Sequence, residues 1–243
     1  MEYVIEAEHL VKVYGSGRMR NEVLKGIDLA VPRGALIGIM GPSGSGKSTL
    51  LHLLGLVEEP TEGRLVLDGE DIYGGGGLPD CSRLRREKIG FIFQFPNLIP
   101  FLTALENVVM PMDLVGIGDR EARDRAQELL EYLGVAERAF DLPERMSGGE
   151  KQRVMIARAL ANHPKMILAD EPTASLDAER GLSVMRVLRK IADEHGTAIL
   201  VVTHDTRMIG EMDRIIRLQD GKVVDQPVDP LAGNHRVPAA VAV

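Results

Sequence analysis

Gly41-Pro42-Ser43-Gly44-Ser45-Gly46-Lys47-Ser48, with Thr49 behind it, is the stretch that decides the fold. Glycine, four residues, glycine, lysine and serine is the spacing of a phosphate-binding loop. The apolar run Ala35-Leu36-Ile37-Gly38-Ile39-Met40 leads into it, and the amphipathic segment Thr49-Leu50-Leu51-His52-Leu53-Leu54 leads out. That is the strand–loop–helix setting the motif requires. Glycines carry no Cβ, so backbone N–H groups can close around phosphate oxygens, and the following helix adds its positive end. In this setting Lys47 reaches the β- and γ-phosphates and Ser48 holds Mg²⁺.

Composition narrows the class. The chain has 243 residues, 44% hydrophobic and 27% charged, which suits one large α/β domain or two small ones. No apolar run approaches bilayer length, and the start, MEYVIEAEHLVK, does not read as a signal peptide. Direct membrane insertion is therefore not expected, and membrane work would go through a partner. The single cysteine, Cys81, rules out an internal disulfide and fits a reducing cytoplasm. A net charge of −7 disfavours a nucleic-acid partner. The basic run Arg83-Leu84-Arg85-Arg86-Glu87-Lys88 reads as a solvated helix face.

Outward from the loop, Tyr3, Ile5 and Ala7 alternate with Glu2, Glu6 and Glu8. Residues 22–29 and 63–69 alternate in the same way, as short antiparallel strands do. Gly74 to Gly77 read as a mobile surface loop. Ile89 to Gln94 is a buried strand candidate, and Phe95-Pro96-Asn97-Leu98-Ile99-Pro100-Phe101-Leu102 carries two prolines that exclude a helix interior. Thr103-Ala104-Leu105-Glu106 resembles a capping box, and residues 119–133 are helical with Asp119 as N-cap and Gly134 as the stop. Beyond Lys165, apolar strands at 166–169 and 197–203 flank a helix at 178–195, and residues 215–224 read as a closing hairpin. Strands apolar throughout and alternating with helices imply a parallel sheet covered on both faces. The tail 227–243 is expected to be poorly ordered.

The strand Met166-Ile167-Leu168-Ala169 ends in Asp170-Glu171. A carboxylate there supports Mg²⁺ through water, and the next one can polarise an attacking water.

With these residues in view, Met146-Ser147-Gly148-Gly149-Glu150 resembles the signature of ATP-binding-cassette (ABC) ATPases. Met146 stands where leucine is commonest and Glu150 where glutamine is. The resemblance covers about residues 2–225. It implies an α/β fold: a phosphate-loop NTPase core with a mostly parallel sheet, an antiparallel β subdomain and an inserted helical subdomain. The implied division is 1–94 and 164–226 for core and β subdomain, and 95–163 for the helical part. Tyr14 resembles the aromatic residue that stacks on adenine. Gln94 resembles the glutamine that touches Mg²⁺ and the attacking water and sits where the membrane partner docks. His204 resembles the histidine at the γ-phosphate, and Ser175-Leu176-Asp177 the loop that communicates between two sites. Ser147 to Glu150 would then complete the ATP site of a second copy, in a head-to-tail homodimer.

Residues 93–108, with Leu24-Lys25-Gly26-Ile27 and Pro111-Met112, are similar to the lipoprotein-release and macrolide-export ATPases. Cell-division and glycolipid-export ATPases are near relatives of these. The resemblance implies a transport-coupled ATPase, peripheral on the cytoplasmic face of the inner membrane, driving export or extraction through a separate integral permease. A small-solute importer is disfavoured because no regulatory domain follows residue 230. An ABC ATPase acting on nucleic acid or ribosomes is disfavoured by the single cassette and the acidic charge. Phe95, Leu98, Ile99, Phe101 and Leu102 would form the floor of a permease groove, with packing into the helical part as the alternative; a charge at Leu98 or Phe101 would separate the two.

Overall fold

Alternation at the N-terminus becomes pairing. In chain order the elements are β1 (Tyr3–Tyr14), β2 (Asn21–Pro32), β3 (Leu36–Met40), α1 (Lys47–Leu54), β4 (Glu62–Leu67), β5 (Glu70–Tyr73), α2 (Cys81–Lys88) and β6 (Ile89–Ile92). Then follow α3 (Ala104–Asp113), α4 (Asp119–Tyr132), α5 (Gly148–Leu160), β7 (Met166–Asp170), α6 (Ala178–His195), β8 (Ala198–Val202), β9 (Arg214–Gln219) and β10 (Lys222–Val223). The computed structural model describes residues 2–74, 79–174 and 176–224. The expectations for Gly75 to Gly77, for Ser175 and for the tail from residue 227 lie outside these residues.

Among the described residues there are two sheets. One is antiparallel with order β2-β1-β4-β5; the other has order β10-β9-β3-β8-β7-β6 and is parallel except for the β9–β10 hairpin. The apolar strands are covered on both faces. In β8, Ile199 and Val201 enter the core shared with α3, α4, α5 and α6, while Ala198, Leu200 and Val202 enter the core shared with α1 and the antiparallel sheet. All five β8 residues are buried, which is why this stretch shows no polar alternation. No helix among the described residues is long and apolar enough to cross a membrane.

Two local expectations are corrected. Asp119 does not cap α4: Gly118 occupies the cap position without a side-chain bond, and Asp119 is the first helical residue, paired with Arg123 at 2.9 Å. A carboxylate in the first turn still complements the helix dipole, so the acidic signal marks the right turn one residue late. The strand at residues 89–94 ends at Ile92, leaving Phe93 and Gln94 in the connection that follows.

The segment after Gln94 is pinned from two helices. Asn107 of α3 is fully buried; its Oδ1 accepts the Ile99 N–H at 2.7 Å, and its Nδ2 donates to the carbonyls of Ile99, Leu102 and Thr103. Arg158 of α5 donates to the Asn97 carbonyl at 3.0 Å and to its side-chain oxygen. Thr103 and Glu106 close a capping box beneath it. Leu98 consequently turns inward, 8% exposed, whereas Phe95 and Phe101 stand 71% and 78% exposed. Leu98 therefore belongs to the core, and a charge there would test folding rather than docking.

Asn107→Ala leaves buried backbone groups without partners. It is expected to lower the unfolding free energy by about 2–3 kcal/mol, read from the urea midpoint at constant slope. An unchanged midpoint would mean that the segment holds its shape without Asn107.

Candidate functional site

The parallel strands deliver their C-terminal ends to one edge of the sheet. β3 runs into the glycine loop, β7 ends at Asp170 and is followed by Glu171, and β8 is followed by Thr203 and His204. This edge is the usual place for ligands in open α/β sheets.

The loop is shaped by what its glycines touch. A Cβ on Gly41 would lie 2.0 Å from the Leu218 carbonyl of β9, and one on Gly46, at φ 101°, would lie 2.8 Å from Leu24 Cδ2. Gly46 is the cap residue of α1, so the first helical turn begins at Lys47 with Ser48 and Thr49 next. Lys47 reaches back over the loop, donating to the carbonyls of Gly41 and Pro42, both at 2.9 Å. Pro42, Ser43 and Gly44 are exposed on the loop, Ser48 is exposed at the helix start, and Ser45 is buried with its hydroxyl unpartnered.

Beside the loop lie the two carboxylates. Asp170 is pushed up by burial and by the neighbouring Glu171 charge, and drawn back down by His52 and Lys47. Glu171 is held in a left-handed conformation, φ 47°, rare for a residue with a side chain and worth of order 1 kcal/mol of strain. Its N–H bonds the Val202 carbonyl at 2.8 Å, tying it to the end of β8. Its Oε1 lies 2.7 Å from His204 Nδ1, and the histidine side chain is 75% exposed. The backbone strain thus aims a carboxylate at an imidazole across the sheet edge.

Tyr14 meets the other side of α1. Its hydroxyl donates to Glu58 Oε2 at 2.6 Å, Thr49 is in reach of that hydroxyl, and the Lys12 ammonium sits 5.1 Å from the ring centroid. Burial, and then the Glu58 bond, push the Tyr14 pKa up. Glu58 also meets Lys12 and His52, each at 3.1 Å.

The donor set fits Mg²⁺ bound with a nucleoside triphosphate. Asp170 is a carboxylate whose charge burial and Glu171 oppose, which a divalent cation would relieve. Ser48 offers a hydroxyl at the helix start, and the space beside Gly44 is open. Among the described residues no cluster of three or more His, Cys, Asp or Glu could hold a metal by itself.

The model of the ABC transporter family matches residues 24–174. The chain belongs to the ABC transporter ATPase family. It is 46% identical over 227 residues to the lipoprotein-releasing system ATP-binding protein LolD of Hyphomonas neptunium, covering 93% of this chain and 98% of that protein. LolD of Shewanella frigidimarina is 45% identical over 218 residues, 90% and 91% of the two chains. Among solved structures, a dimeric ATP-binding cassette in a post-hydrolysis state with ADP and Pi superposes with a TM-score of 0.79 at 43% identity, covering 90% of this chain and 96% of that one. The cassette cbiO1 of Clostridium perfringens, part of the transporter complex cbiONQ, gives 0.81 at 29% identity, 92% and 88%. This ABC ATPase binds and hydrolyses ATP.

Ser147 caps α5, Gly148 and Gly149 form its first turn, and nothing lies within 4 Å of a Cβ placed on either glycine. No hydrogen bond or ion pair among the described residues joins Ser147–Glu150 to residues 41–49. Met146, in place of leucine, is 5% exposed in the helical core, where a thioether of similar volume serves. Leu176 packs against the same core and Asp177 caps α6, accepting the Arg180 N–H at 3.0 Å. Gln94, two residues past β6, is half-buried. Sequence reasoning missed Asn107 and Arg138. The first had a signal, a lone amide among apolar residues at 104–112; the second had none, because its partner Glu150 is twelve residues away.

Proposed function

We propose that this chain is the ATP-hydrolysing subunit of a transporter that extracts or exports lipid-anchored substrates, lipoproteins first among them, through a separate membrane permease. The observation that carries this reading is identity of 45–46% with LolD proteins over nearly the whole of both chains. It works as a homodimer, peripheral on the cytoplasmic face of the inner membrane. Residues 1–94 and 164–226 form the core and β subdomain, and 95–163 the helical part.

The backbone of residues 41–49 and the Lys47 ammonium bind phosphates, and Tyr14 lies against adenine. Ser48, Asp170 and Gln94 would hold Mg²⁺, which would supply positive charge to offset that of the phosphates. Glu171 accepts a proton from the attacking water; His204 orients that carboxylate and reaches toward the terminal phosphate. Ser147, Gly148 and Gly149 of the second copy offer N–H and hydroxyl donors at a helix start. Ser175-Leu176-Asp177 links the two sites.

Phe93, Phe95 and Phe101 are exposed within nine residues, next to Gln94. Exposed aromatic side chains this close together in sequence suit a permease helix. Phe101→Asp is expected to leave ATP turnover of the isolated chain within twofold while abolishing permease-dependent stimulation. Stimulation that survives would move the dock elsewhere.

Membrane vesicles depleted of this chain test the substrate. Adding the chain back with ATP should restore release of a radiolabelled lipoprotein. ATP turnover with no release would remove lipoproteins from the reading.

A further inference from the structure

Glu150 brings a negative charge to the turn that this reading assigns to the terminal phosphate of the partner's ATP. Both oxygens of that carboxylate are engaged. Oε2 accepts the Ser147 N–H at 2.7 Å, completing a capping box in which Ser147 Oγ accepts the Glu150 N–H at 3.4 Å. Oε1 accepts from Arg138 Nε at 2.9 Å. Arg138 ends a single 3₁₀ turn, Ala136–Arg138, between α4 and α5, and its Nη1 also donates to Asp141 at 3.2 Å. The backbone around it is fastened to the start of α3: the Ala104 N–H bonds the Asp141 carbonyl at 3.0 Å and the Leu105 N–H bonds the Ala139 carbonyl at 2.9 Å.

We infer that Arg138 is a positioning residue for the signature turn: it holds the Glu150 carboxylate back in the capping box and cancels its charge, so that Ser147, Gly148 and Gly149 face an incoming phosphate with donors alone. This rests on the reading that Ser147–Gly149 receive a phosphate from a second copy.

Protonation cannot do the same work. The Ser147 N–H and hydroxyl, and then Arg138, hold Glu150 down at about 2, so the group is ionised at any working pH. Only a cation can offset it. Without Arg138, two carboxylates, Glu150 and Asp141, would be left near the turn. A carboxylate facing a phosphate across a shared site opposes binding of the anion.

Glu150→Gln gives the test its edge. The amide oxygen can still accept the Ser147 N–H, so the cap survives while the charge goes. Steady-state ATPase is measured for Arg138→Ala and Arg138→Gln, each in the Glu150 chain and in the Glu150→Gln chain, with thermal midpoints alongside. Arg138 loss should lower kcat/KM for ATP tenfold or more when Glu150 is present, and less than twofold when Gln stands there. The thermal midpoint should fall in both backgrounds, because the Asp141 ion pair is lost in each. Equal loss of kcat/KM in both backgrounds would make Arg138 a structural tie and overturn the inference, as would no loss in either.

A control separates this from the underlying reading. Ser147→Arg in a Glu171→Gln chain should block ATP-driven dimerisation. If dimers still form, the signature reading fails and the inference with it. If they do not form and the kinetic cycle shows no coupling, the Arg138 inference alone fails.

Discussion

Glu171→Gln should cut ATP turnover roughly a hundredfold or more, about 2.7 kcal/mol of transition-state stabilisation, while leaving ATP binding within about threefold. The substitution keeps the shape and an oxygen for His204, which now sits 2.7 Å from Glu171 Oε1, and removes the basicity. The left-handed backbone and the bond to Val202 are untouched, so the fold should melt at the same temperature. Single-turnover hydrolysis with nucleotide binding measured in parallel distinguishes the two effects. Normal turnover in this variant would take the water-activating role away from Glu171.

Lys47→Ala should act on the earlier step. The ammonium is the charged group that spans the glycine loop, bonded to the Gly41 and Pro42 carbonyls, and it lies close enough to Asp170 to favour that carboxylate's charged form. Its removal should weaken ATP binding by roughly 30-fold or more, about 2 kcal/mol, the scale of a charge-assisted bond to phosphate. Leu50, Leu51, Leu53 and Leu54 bury the inward face of α1, so the helix should stay in place. Fluorescent-nucleotide titration checks the affinity. Unaltered affinity would mean that the backbone of residues 41–49 holds the phosphates alone.

The sheet was legible because its strands obey simple rules. An all-apolar run such as Ala198–Val202 has no exposed face, and the residues after such strands land on one edge whatever the loops between them do. That is why Lys47, Asp170 and Glu171, spread over more than 120 positions, were readable as one constellation, to which the family resemblance added His204. The helical part was legible at Thr103–Glu106, whose capping box closes within four residues. What resisted was anything set by a distant partner. Leu98 and Phe101 look alike in sequence, yet Asn107 and Arg158 turn one inward and leave the other out. Asp119 missed the cap by one residue because glycine at 118 serves equally without a side chain. Arg138 gave no local signal at all; only folding brings it to Glu150.

The central claim is that ATP is enclosed between two copies, because no hydrogen bond or ion pair among the described residues joins the signature turn to the glycine loop of the same chain. Sedimentation equilibrium of the Glu171→Gln chain at micromolar concentration, with and without saturating ATP, tests it most directly. Monomer without nucleotide and dimer with ATP, reverting to monomer when Ser147→Arg is added, is the predicted result. A chain that stays monomeric at saturating ATP, while still binding it, would contradict the account.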